Sequence, residues 1–255
     1  MSRVDDPIPA STRRFLLRAG VATAAGAAIA GLPGVAPTNA LAAATFGSPA
    51  YDAALAAKGG VKAVFQSPFY DATFVAGNFL NHLLLLQLKN WLNSFQFAYK
   101  MAASDLHTLS ATYASGNLLN YGDVLWEKYK LGEKYKIIDP ATKAPAVRNP
   151  FVAARFGPNA PKDYTAPNNY YQDSGIEVLQ QRGTIFLACN NSLNGHASAA
   201  VADKRAPAGM ALADVVADFQ ANLIPGAVLT PAVVGEVSRA QAAGYSLLFI
   251  PNFAL

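Results

Sequence analysis

The feature that most constrains this fold is the run Thr184-Ile-Phe-Leu-Ala188, an uncharged apolar stretch bounded by Gly183 on one side and Cys189 on the other. A strand with no polar face is buried on both sides, as in a parallel sheet layered between helices. The neighbouring segments agree with this. Val61 to Gln66 predicts a strand stopped by Ser67-Pro68, and Leu106 to Ala114 a second one, rich in β-branched and aromatic residues. Gly226 to Leu229 and Ser246 to Ile250 predict two more. Between them, apolar residues recurring every three or four positions predict helices over 78–97, 173–181 and 211–223. A shorter helix is expected over 121–129, and Thr230 followed by Pro231 reads as the cap and first turn of a helix running to Ala243. Strands that alternate with helices favour βαβ units with helices on both faces of a mostly parallel sheet of about five strands.

The N-terminus reads as an address rather than as part of that domain. Arg13-Arg14 stand directly before Phe15-Leu-Leu, and Ala19 to Leu32 form a weakly apolar run of about 14 residues, too short to span a bilayer. Ala40-Leu-Ala42, or Thr38-Asn-Ala40, offers a small-x-small cleavage site, so residues 1–42 are expected to be a removable twin-arginine export signal. The expected location is the periplasm or another compartment reached by that route, with no stable membrane insertion after processing. Residues 43–59 form a lead-in, and 60–255 the folded domain. Cleavage would remove Arg3, Arg13, Arg14 and Arg18 with Asp5 and Asp6, lowering the formal charge from +4 to +2. That field is too weak for a nucleic-acid binder. The interleaved aromatics and lysines of Trp126 to Lys136 read instead as a solvated helix end. From about 132 to 171, six prolines leave no room for an ordinary helix or central strand, and the stretch reads as an insertion, either a functional cover or a flexible segment.

Chemistry in this chain narrows to one atom. Cys189 is its only cysteine, so no internal disulfide can form. It follows a predicted strand where open parallel sheets place their reactive groups. If Asn190, Asn191 or Ser192 caps a helix beginning there, the helix's free N–H groups would favour the thiolate. Asn191 and His196 are the candidate helpers, with His196 equally readable as a solvated residue; His82 and His107 read as structural or surface residues. An inert buried thiol is the competing reading for Cys189. No HExxH or CxxC spacing supports a metal, and no phosphate loop supports a nucleotide, so no cofactor is expected.

The segment Gly183-Thr-Ile-Phe-Leu-Ala-Cys189-Asn-Asn-Ser-Leu193 resembles the cysteine segment of the DsrE/DsrF-like sulfur-relay family. Gly226-Ala-Val-Leu-Thr-Pro231 with Val237, Gln241 and Gly244 is similar to that family's closing strand and helix, and Val61 to Phe65 to its first strand. The resemblance implies a three-layer α/β/α sandwich, frequently a homo-oligomer, whose cysteine carries sulfur as a persulfide. It further implies a sulfur donor or acceptor protein, or a small thiol, as partner. The alternative on the same fold is a non-catalytic binding or assembly module that uses the insertion as its contact surface.

Overall fold

A computed structural model describes residues 44–68, 74–76, 79–139, 142–152 and 174–251. The expected export signal, residues 1–42, and residues 153–171 of the expected insertion lie outside the described residues. In chain order the elements are α1 (Pro49–Ala56), β1 (Val61–Ser67), β2 (Phe74–Ala76), β3 (Phe79–Asn81) and α2 (Leu83–Asn93), then β4 (Leu106–Thr112), α3 (Asp123–Lys128), α4 (Leu131–Tyr135) and α5 (Ile176–Gln181). They continue with β5 (Ile185–Cys189), α6 (Asn190–Ala202), α7 (Leu212–Ala221), β6 (Val228–Thr230), α8 (Val233–Ala242) and β7 (Ser246–Phe249).

Five strands form one parallel sheet in the order β6-β5-β4-β1-β7. The chain lays down β1, β4, β5 and β6 in one direction, then crosses back to add β7 beyond β1. Right-handed crossovers put the helices of the first three connections on one face and the helix of the reversed one on the other. The core divides accordingly. Phe65, Phe186 and Ala188 pack with Leu84, Leu88, Leu193 and Phe219 on the face covered by α2, α6 and α7. Val64, Leu109, Leu187 and Cys189 point the other way, under Tyr51 of α1 and Val233 and Val237 of α8. The expected α/β/α layering with a parallel five-stranded sheet is therefore the observed one. Among the described residues no helix is long and apolar enough to cross a membrane.

Several boundaries differ from expectation for local reasons. The helix expected from Asn78 begins only at Leu83, because Phe79–Asn81 pair antiparallel with Phe74–Ala76. His82 is then the extended N-cap, its Nδ1 accepting the Leu84 N–H at 3.2 Å. The far end loosens into a π-turn over Ser94–Ala98, next to a Ser94 hydroxyl that donates to the Asn90 carbonyl. Thr230 does not cap α8: it ends β6, its hydroxyl donating to the Ala188 carbonyl at 3.0 Å, and Ala232 is the cap.

The described part of the insertion is not a loose cover. Ile137, Ala146 and Phe151 are buried in the α2-side core, and Gly132 lies so close to the Ala146 main chain that a Cβ would collide with it. Buried Asn149 donates to the carbonyls of Leu119 and Tyr121 at 3.0 Å each, which staples the segment to the body. The Trp126–Lys136 stretch is anchored through its aromatic residues and keeps the expected solvated face, with Glu127, Lys130, Glu133, Lys134 and Lys136 exposed. Trp126 and Tyr129 are fully buried, while Lys128 pairs with Asp218 at 2.8 Å and Lys134 with Asp203 at 2.6 Å.

Candidate thiol site at the carboxyl edge of the sheet

Four of the five parallel strands end in a small polar residue. Ser67, Thr112, Cys189 and Thr230 close β1, β4, β5 and β6, and all four are buried. The register sets Ser67 beside Thr112 and Cys189 beside Thr230. Between them, Thr112 pairs with Ala188, so β5 runs one residue beyond the end of its partner β4. Cys189 therefore lacks a strand neighbour on the β4 side, and its main-chain groups need another partner.

Asn117 supplies one. It sits in the 3-10 turns of Ala114–Asn120 that follow β4. Its Oδ1 accepts the Cys189 N–H at 2.9 Å, and its Nδ2 donates to the Cys189 carbonyl at 3.2 Å. A side-chain amide thus continues the ladder where the backbone stops. Asn120 does the same one step back, its Nδ2 contacting the Leu187 carbonyl at 3.2 Å, the Thr112 hydroxyl at 2.8 Å and Asn117 Oδ1 at 3.1 Å.

The network extends to one of the expected helpers. Asn117 Nδ2 also donates to the Tyr121 oxygen at 3.0 Å, which leaves the Tyr121 proton for His196 Nδ1 at 2.7 Å. His196 is consequently an acceptor at Nδ1, and its neutral form carries the proton on Nε2. Burial, and then the charge of Arg205, push the imidazole pKa down to about 4. Tyr121 is held well above the ordinary phenol range, chiefly by burial. Among the described hydrogen bonds, His196 reaches Cys189 through Tyr121 and Asn117 and arrives at the main chain, not at the sulfur.

Cys189 is a free, buried thiol, 4 % exposed, on the α8-side face of the sheet. It is itself the N-cap of α6, with φ −85° and ψ 113°, so Asn190, Asn191 and Ser192 are first-turn residues rather than caps. No side chain caps the helix, so its amino end, where N–H groups go unpaired, begins directly at the cysteine. The three first-turn residues diverge. Asn190 accepts from Gln220 at 3.0 Å, Ser192 accepts the Ala114 N–H at 2.7 Å, and Asn191 is exposed to solvent. Asn117 and Asn120 were not singled out from the sequence. The available signal was two asparagines three apart in an otherwise apolar turn directly after a strand.

An open cavity of about 330 Å³ lies between α3 and α5, lined by Gly122, Asp123, Ile176, Glu177, Ile224 and Pro225 among others, and it does not include the strand-end residues. Among the described residues no group of three or more His, Cys, Asp or Glu side chains is placed to hold a metal ion.

Fold and site together define a parallel α/β protein with a single cysteine at a strand end. No family model matches the chain, and no curated protein matches it. Among solved structures, the chain is similar to that of a protein of unknown function, MTH1491, from Methanobacterium thermoautotrophicum, at 13 % identity and a TM-score of 0.34. The match covers 74 % of this chain and 99 % of that one.

Proposed function

We propose that the protein is an exported sulfur carrier in which Cys189 accepts sulfane sulfur as a persulfide and passes it on. The observation that carries this reading is the place of the cysteine: it ends β5, begins α6, and has its main chain clamped by Asn117. The amino end of a 13-residue helix stabilises negative charge at its cap, and the thiolate is the nucleophile. The step is balanced without an added oxidant. The Cys189 thiolate attacks the terminal sulfur of a donor persulfide, a new S–S bond forms at Sγ, the donor's S–S bond breaks, and the donor leaves as a thiolate. Delivery reverses the roles with an acceptor thiol. Because Cys189 is 4 % exposed, the donor must be a small persulfide or a protein that opens the strand-end segment.

The test is incubation of the purified chain with glutathione persulfide, followed by peptide mass spectrometry. The peptide bearing Cys189 gains the mass of one sulfur atom, and C189S gains none. A wild-type chain that never loads sulfur, with a thiol that alkylates no faster than a free buried cysteine across pH 6 to 9, would sink the proposal. The apolar surroundings of Cys189 under α8 favour a second reading, a non-catalytic binding module with an inert thiol, and that result would select it.

Export is tested separately. Replacing Arg13 and Arg14 together by Lys is expected to hold the precursor in the cytoplasm, read by cell fractionation. Undiminished export of the double variant would remove the twin-arginine assignment.

A further inference from the structure

The helix ahead of β1 packs on the face of the sheet that carries the Cys189 side chain. The Gly47 N–H donates to the Leu229 carbonyl of β6 at 2.9 Å, and Ser48 caps α1, its Oγ accepting the Tyr51 N–H at 3.1 Å. Tyr51 is then fully buried in one cluster with Leu187, Cys189 and Val228, and Leu55, one turn on, packs against the same cluster. At the carboxyl end of α1, the Ala54 carbonyl accepts from the Tyr245 hydroxyl at 3.1 Å and the Ala57 carbonyl from Lys62 Nζ.

This cover is lightly held. Of the eight residues of α1 only Tyr51 is buried, and a helix of that length is too short to be stable undocked. The Tyr51 hydroxyl donates to Glu236 Oε2 at 2.9 Å, and Arg239 Nη1 donates to the same oxygen at 2.7 Å. Withdrawing Tyr51 therefore leaves the buried Glu236 carboxylate still paired. The connections differ as well. α8, the other helix on this face, is held between β6 and β7, both paired in the sheet, so it cannot lift without straining those pairings. α1 joins the sheet through Ala57 to Gly60, where Gly59 and Gly60 have φ of 76° and 70°. A Cβ on Gly60 would collide with the Asp105 carbonyl, whereas nothing lies within 4 Å of one on Gly59. One glycine is pinned against the body and the next is free to turn, which is the local chemistry of a hinge.

We propose that α1 is a hinged strap over Cys189: it turns about Gly59, withdraws Tyr51 and Leu55 from the sheet, and opens the α8-side face of β5 while the sheet and α8 stay folded. The inference rests on the sulfur-carrier reading for its purpose, since it names the motion that admits a persulfide donor to a thiol only 4 % exposed. One aromatic anchor and a few hydrogen bonds set the cost of opening, far below the cost of parting the central strands.

The full chain is tested by hydrogen exchange at single-amide resolution, alongside the rate at which iodoacetamide alkylates Cys189. In the wild type the α1 amides are expected to exchange at least about tenfold faster than the slowest amides of β4, and the protection of Cys189 from alkylation should match that of α1 and not that of β4. Tyr51→Ala is expected to raise the alkylation rate at least about tenfold with a single cooperative urea transition retained. Tyr51→Phe keeps the ring, drops the bond to Glu236 and should raise the rate by a smaller factor. Should the alanine variant not fold, the wild-type comparison and the phenylalanine variant decide. The proposal is overturned by α1 amides as slow as those of β4, or by a variant whose α1 amides are accelerated while the alkylation rate stays at the wild-type value. Its fate is separable from that of the carrier reading. A thiol that alkylates in step with α1 opening yet never gains sulfur from glutathione persulfide upholds the strap and removes the carrier. Sulfur loading no faster in Tyr51→Ala than in the wild type, with α1 unprotected in the variant, removes the strap and leaves the carrier.

Discussion

Asn117→Ala is expected to lower the free energy of unfolding by about 3 kcal/mol, read from urea denaturation. The side chain serves the Cys189 N–H, the Cys189 carbonyl and Tyr121, and accepts from Asn120, all in a fully buried setting. Tyr121 and Asn120 retain other partners when it is removed, and the Cys189 carbonyl, as that of the N-cap, still accepts the first bond of α6, but the Cys189 N–H is left without its acceptor. The unpaired buried N–H costs roughly 1–3 kcal/mol and the other hydrogen bonds lost with the side chain roughly 1 kcal/mol each, which together set the magnitude. Asn117→Asp separates the halves of the clamp: ionised, it keeps an acceptor for the Cys189 N–H and loses the donor to the carbonyl. Acidification restores a hydroxyl donor, so the deficit of the aspartate variant should narrow at low pH while that of the alanine variant does not. A loss under 1 kcal/mol in the alanine variant would mean that the clamp is not made in solution. Freed of the clamp, the end of β5 frays more readily, and Cys189 should alkylate faster in Asn117→Ala than in the wild type.

How much of this was legible in the sequence follows from where each piece of information resides. The five strands could be read to within two or three residues because Ile185–Ala188 and its counterparts are short apolar runs with sharp Gly, Pro or Ser boundaries. The start of α2 could not. Phe79 and Leu80 continue the spacing of the leucines that follow, and only pairing with Phe74–Ala76 makes them strand. The position of Cys189 at a strand end was legible for the same reason as β5 itself. Its clamp was not, because it depends on β4 stopping one residue short of β5, a fact of register with no local signature. His196 was visible as a residue near the cysteine in sequence, yet α6 carries it to Tyr121 and Tyr135 and not to the sulfur. The prolines marked the insertion, but Asn149 and Phe151, which tie its described part to the core, look like ordinary loop residues until the fold is assembled.

His196 should give the chain a steep acid limb. Its imidazole accepts the Tyr121 proton at Nδ1, lies edge-on to the rings of Tyr121 and Tyr135, and faces the positive charge of Arg205. A proton on Nδ1 would reverse the Tyr121 bond, leaving the phenol proton without its acceptor, and set a second cation beside Arg205 in a mostly buried place. Those costs lower the folded pKa to about 4, whereas the unfolded chain titrates near the ordinary value of 6.5. Between those two values the unfolded state binds the extra proton, so stability rises with pH in that window. The contribution is complete above about pH 6.5, drains away as the pH falls toward 4, and is gone below it. A shift of this size corresponds to about 3 kcal/mol. Carboxylates such as Asp203, held low by its bonds to Lys134 and Arg205, also lose their contribution on acidification, so the wild-type limb alone does not isolate the histidine. His196→Gln does, since it keeps a polar side chain and removes the titration. Urea unfolding at pH 7 and pH 4 for both proteins should show the variant losing about 3 kcal/mol less than the wild type across the interval. Equal losses would mean that His196 titrates in the folded protein as it does in the unfolded one, and that the bond from Tyr121 does not hold the imidazole neutral.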